Sequence, residues 1–253
     1  MSTPIFGDAL ARGMSHQMAR STLEAMDRRR KDLPLAQLAH IESRNTAYKQ
    51  AQSVLKTFVK DQLLSSFELG EGKRRVWFAY VAFLDEQAGI SLSLYRIPFK
   101  NPKDIDYVDV ATNCHPHAVQ RLIQMLGSAD ASAISAIWME HALVIQQAIS
   151  QELEFEGDRR MTFSNTALLI WRRVEDDPEV WEAITAIPIN ALYGPNLKKY
   201  LRVQEGIRDP GVYDLRSHKS PIPIRPELKS RMDAALSEVS ARYRAHSNHS
   251  IAA

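Results

Sequence analysis

"VWFAYVAFLDEQAGISLSLYRI", residues 76–97, is the stretch whose reading decides the fold. Its first nine residues are almost all apolar and rich in aromatic and β-branched types, the composition of a strand buried on both faces. "DEQAG" follows as a turn. "ISLSLYRI" then sets Leu92 and Leu94 against Ser91 and Ser93, the period-two alternation of a half-buried strand. The two runs predict a β-hairpin.

Working outward, "MTFSNTALLIWRR" (161–173) and "WEAITAIPI" (181–189) predict a second strand pair, with "VEDDPE" as its turn. Residues 98–109, "PFKNPKDIDYVD", read as a loop. Helical spacing fills much of the rest. Residues 5–66 read as helix interrupted at Pro34, with Leu35, Leu38, Ile41, Tyr48, Val54, Leu55, Phe58 and Leu63 as the apolar stripe of the second piece. That piece is either an amphipathic helix packed on its own domain, the simpler reading, or a partner-binding arm. Two helices are predicted between the strand pairs, one starting near Pro116 and one over 129–153. Ser128, Asp130 and Ser132 are the N-cap candidates of the second. Residues 190–206 predict a short helix broken at Gly194 and Pro195. The proline-rich 208–227 reads as extended, and 226–244 as a last helix.

The expectation is an α+β fold: an antiparallel sheet from two hairpins packed with helices, preceded by a long helical N-terminal region. Its divisions fall at 1–70 (helical arm), 71–205 (α+β core) and 206–253 (proline-rich extension and C-terminal helix).

Composition sets the outer limits. The 253 residues are 45% hydrophobic and 25% charged, with a net charge of +2. This is the profile of an ordinary globular chain, mildly basic and compatible with nucleic acid without requiring it. One cysteine, Cys114, rules out an internal disulfide framework and most cysteine-rich zinc sites. No apolar run of membrane-spanning length occurs, and the first residues lack the apolar core of a secretory signal. A cytoplasmic location is expected.

Phosphate-binding glycine loops, G-x-S-x-G, H-E-x-x-H and calcium loops are all missing. The chemistry-bearing residues concentrate instead in "ATNCHPHAVQRLIQMLG", 111–127. Proline at the first helical position is favourable, with Asn113 available as a cap. His117, Arg121 and Gln124 then fall at i, i+4 and i+7, on one helix face. A first-turn histidine can take a proton near neutral pH. An arginine one turn later can pair two phosphate oxygens, and the helix N-terminus favours an anion. No metal or cofactor is required for such a site. The bland alternatives are a cap, a solvated arginine and a packed thiol at Cys114.

"HAVQRLIQ" resembles the His-Ala-x-x-Arg helix of small bacterial ribonuclease toxins of the barnase, colicin and RelE-like superfold. The resemblance implies a growth-inhibiting, metal-independent endoribonuclease of bacterial defence or toxin–antitoxin type, held in check by a protein partner. It implies His117 as acid/base, Arg121 as phosphate holder and Thr185 as an orienting hydrogen-bonding group, with His115, Gln120 and Gln124 lining the RNA. The chain departs from the pattern where many such motifs carry a second arginine and this one has Gln124 and Met125. The alternative function is a non-catalytic interaction or assembly protein using the N-terminal helical arm. Elsewhere, Asp85 and Glu86 read as a hairpin turn and His141 as a core histidine. Trp77, Trp138, Trp171 and Trp181 read as core, and "DRRRKD" and "LKKYLR" as basic clusters able to meet RNA backbone.

Overall fold

In the computed structural model the hairpin at 76–97 sits inside a larger sheet. Residues 7–31, 41, 43–151, 157–216 and 224–237 are described. The strands are β1 (Leu63–Leu69), β2 (Val76–Leu84), β3 (Ile90–Pro98), β4 (Asp106–Cys114), β5 (Arg159–Phe163), β6 (Ala167–Arg173), β7 (Trp181–Pro188) and β8 (Val212–Asp214). The helices are α1 (Asp8–Lys31), α2 (Arg44–Phe58), α3 (Pro116–Leu126), α4 (Ala131–Gln151), α5 (Gly194–Gln204) and α6 (226–237).

The class is α+β, as expected, but the sheet is open and mixed rather than antiparallel throughout. Its order is β1-β2-β3-β4-β7-β6-β5-β8. Strands β1–β4 and β5–β7 are two antiparallel blocks, joined by a parallel pairing of Thr112–Cys114 in β4 with Trp181–Ala183 in β7. The parallel join follows from the connection. After β4 the chain runs through α3 and α4 before the second block begins, and a helical crossover is what parallel strands need. β8 adds a second parallel pairing at the β5 edge.

Three local expectations change. Residues 63–66, read as the tail of a helix, belong to β1. The helix α2 closes at Phe58, and Ser65–Leu69 then pair with Val76–Tyr80. The loop read over 98–109 gives way to β4 from Asp106. Its first five residues pair only with β3, so its charged, half-exposed composition is that of a strand with one free edge. Residues 161–173 form two strands around a tight turn at Ser164–Thr166, not one. The expectations for residues 5–6, 32–40, 42, 152–153, 217–223 and 238–244 fall outside the described residues.

One face of the sheet carries α1, α3, α4 and α6. Ala11, Met18 and Ala19 of α1, Val119, Leu122 and Ile123 of α3, Ile137 and Trp138 of α4, and Leu228 and Met232 of α6 share a single core with Leu92, Leu169 and Trp171. The opposite face is covered in two places. Tyr48, Ala51 and Leu55 of α2 close over Trp77, Val81 and Ile97. Tyr200 and Val203 of α5 pack on Phe163, Leu168 and Ile170. The N-terminal helices are thus built into both layers. All four tryptophans are buried, as read from the sequence.

Candidate functional site

Helix α3 starts where the sequence places it, and for a more specific reason. Pro116 occupies the first turn, but the cap is His115, not Asn113: its Nδ1 accepts the His117 backbone N–H at 3.1 Å. The His115 N–H donates to Ala183 O at 2.9 Å, fixing the helix start to β7. Gly127, at φ 67°, closes the helix in the left-handed conformation, its N–H bonded to Ile123 O. Val119, Leu122, Ile123 and Leu126 are buried, each contributing about 1.5–3 kcal/mol of transfer free energy. The first turn is therefore held on a rigid support.

His117 is exposed on that turn. Its imidazole is held below the ordinary histidine pKa, first by partial burial, then by the charges of Arg121 and His115; Asp8 acts in the opposite sense and Arg12 adds to the lowering. That lowering favours the neutral form, the state a general base needs. Arg121 lies one turn on, and its Nη1 reaches Asp8 Oδ1 at 3.3 Å and Gln124 Oε1 at 2.8 Å. Gln124, 4% exposed, turns its Nε2 to the same Asp8 oxygen at 2.7 Å. The Asp8 carboxyl is lowered from its usual pKa mainly by this Gln124 bond and then by Arg121. The first turn of α1 thus meets α3 at one carboxylate, Asp8, whose field is shared by Arg121, His117 and Arg12.

The six residues singled out from the sequence fare differently. His117 and Arg121 share one face of α3, as the spacing requires. His115 uses its Nδ1 as a cap, and Gln124 is a buried bridge between helices. Gln120 is half-buried on the same helix. Thr185 is on the other side of the sheet. It stands opposite Ile170, which packs under α5, whereas Ala186 and its partner Leu169 face α3. Asp8 and Arg12 carry no local signal of this placement, because the contact of Asp8 with α3 spans more than a hundred residues.

Other candidates resolve into structure. Cys114 is 1% exposed, and burial pushes its thiol pKa up, with the Glu182 charge adding to this. Asp85 Oδ1 accepts the N–H groups of Gln87 and Gly89, tying the β2–β3 turn. His141 is fully buried, its Nδ1 2.7 Å from Thr162 Oγ1, which also accepts Trp171 Nε1–H at 2.8 Å. Among the described residues no group of three or more histidine, cysteine, aspartate or glutamate side chains is placed to hold a metal ion, and no helix is long and apolar enough to cross a membrane. No protein-family model, curated protein or solved structure matches the chain.

Proposed function

We propose that the chain acts on RNA at the junction of α1 and α3, as a metal-independent endoribonuclease of toxin-like effect under the control of a protein partner. The observation that carries this reading is the exposed His117 at a helix N-terminus, grouped with Arg121 and Arg12 at a single carboxylate, Asp8. A phosphodiester is the anion such a cluster suits. His117 takes the proton of the ribose 2′-hydroxyl as that oxygen attacks phosphorus; the P–O5′ bond breaks, leaving a 2′,3′-cyclic phosphate, and the departing 5′-oxygen takes a proton from water. Arg121 stabilises the charge gathering on the phosphate oxygens. Asp8 occupies the Arg121 guanidinium in the resting protein, so phosphate binding exchanges one anion for another. Thr185 has no part in this scheme.

The test is cleavage of a defined RNA by purified protein, together with growth on induction. Wild type cleaves and arrests growth; His117→Ala and Arg121→Ala do neither while staying folded. Arrest that persists in both variants overturns the assignment.

A second reading, a non-catalytic interaction protein, has its own support on α5. Tyr193, Leu197, Leu201 and Ile207 are 73%, 37%, 49% and 42% exposed beside Lys198 and Arg202. An apolar row of this kind marks a contact surface. It predicts a partner lost on Leu197→Ser with Leu201→Ser, and no cleavage.

A further inference from the structure

We infer that the outer face of α2 is a second, sequence-independent binding groove for the phosphate backbone of single-stranded RNA, separate from the α1–α3 junction; this rests on the RNA reading above. From Arg44 to Lys60 the chain carries four cations and no carboxylate. Lys49 and Lys56 are exposed at i and i+7, on one side of the helix, and Lys60 is exposed in the turn that follows its end at Phe58. With Gln52, Ser53 and Thr57 they line one concavity, which runs past Lys56 and Lys60 into another bounded by Ser66 and Arg225. At about 1.5 Å rise per residue Lys49 and Lys56 stand ~10 Å apart along the axis.

The cations are available. None of the three lysines has an ion-pair partner among the described residues. Asp61, the next acid in the chain, is bound to Arg29, and Glu227, the one acid lining the second concavity, faces Arg225 at 3.8 Å. Lys56 Nζ is positioned 5.3 Å from the centre of the Trp77 ring. None of the exposed large apolar side chains lines either concavity, which disfavours a lipid surface or an apolar protein partner. The groove lies near Arg29, at the end of α1 away from Asp8. The 21 residues between them span about 32 Å, so the groove anchors a strand at a distance from His117.

The experiment is fluorescence anisotropy of a labelled 20-nucleotide poly-uridine RNA with the full chain between 50 and 300 mM salt. Each of Lys49→Gln, Lys56→Gln and Lys60→Gln is expected to reduce the slope of log affinity against log salt by about 0.7. The triple variant weakens binding roughly tenfold or more. An unchanged slope and affinity in the triple variant overturn the groove and leave the His117 reading standing. Lysine-dependent binding without His117-dependent cleavage supports the groove and overturns the nuclease. Loss of binding to phosphatidylglycerol vesicles with RNA binding intact assigns the lysines to lipid and overturns the proposal, as does a wild type that binds no RNA.

Discussion

Asp8 and Arg121 are 113 residues apart in the chain and 3.3 Å apart in the fold. Their ion pair is solvent-exposed, with side-chain exposures of 71% and 37%, so water and salt screen it and its share of global stability is small. Its importance lies in where it points. It places a carboxylate on the guanidinium that, in the proposed function, meets a phosphate.

Removing that carboxylate is therefore expected to favour an anionic ligand. Asp8→Asn should tighten RNA binding severalfold at low salt, with the difference shrinking as salt rises, and should leave the melting temperature nearly unchanged. Equal affinities for wild type and variant at 50 mM salt would show that Arg121 does not contact the RNA.

The His117 imidazole is lowered by burial and by neighbouring cations, and raised by Asp8. A neutral base remains competent as pH falls until it is protonated, so the acidic limb of cleavage should have its midpoint below about 6.5, the ordinary histidine value. Asp8→Asn removes the one raising charge and should move that midpoint further down. At the plateau, His117→Ala should cost roughly 10²–10⁴ in rate. A midpoint that ignores Asp8 would place the titrating group elsewhere.

Thr185 provides a separate check on the toxin resemblance. Because it faces away from α3, Thr185→Val should leave cleavage at the wild-type rate. A hundredfold loss would contradict the placement of the site on the α1–α3 side of the sheet.

His141 makes stability depend on pH. Burial pushes its pKa down to about 3, against about 6.5 in the unfolded chain. The unfolded state therefore binds the proton first. Stability from this residue is complete above about pH 6.5 and is lost as pH falls, by about 1.4 kcal/mol per unit towards pH 3. Urea unfolding at pH 7, 6 and 5 should show the decline, and His141→Gln should flatten it while lowering the value at pH 7. Thr162→Val should also destabilise, since it strips a partner from both His141 Nδ1 and Trp171 Nε1. A wild-type profile as flat as that of His141→Gln would refute the assignment.

Much of the local structure was legible because it is written in short-range chemistry. The alternation at 90–97 and the apolar run at 76–84 specify the β2–β3 hairpin, and Pro116 with the apolar spacing of 118–126 specifies α3. β1 was misread because "LLSSFEL" follows a helical pattern without a proline or glycine to separate them. β4 was missed because a strand with one free edge need not carry an apolar run. The free edge is itself a tertiary fact, arising where β7 begins only opposite Thr112.

By itself, the sequence determined the α+β class, the hairpin, the α3 start and the shared face of His117 and Arg121, all of them consequences of spacing along one element. Only the tertiary structure decided which groups surround that face. It brought Asp8 and Arg12 to α3, and it set β4 beside β7 in parallel through a crossover no local pattern encodes. It also turned Thr185 away. Simple alternation from the α3-facing Ala183 would put Thr185 on the same side, but an irregularity between Ile170 and Trp171 inserts one residue and reverses the faces, so that Ala186 points to α3 instead. A single extra residue in a strand changes no composition and no period that can be read beforehand, yet it moves a side chain across the sheet.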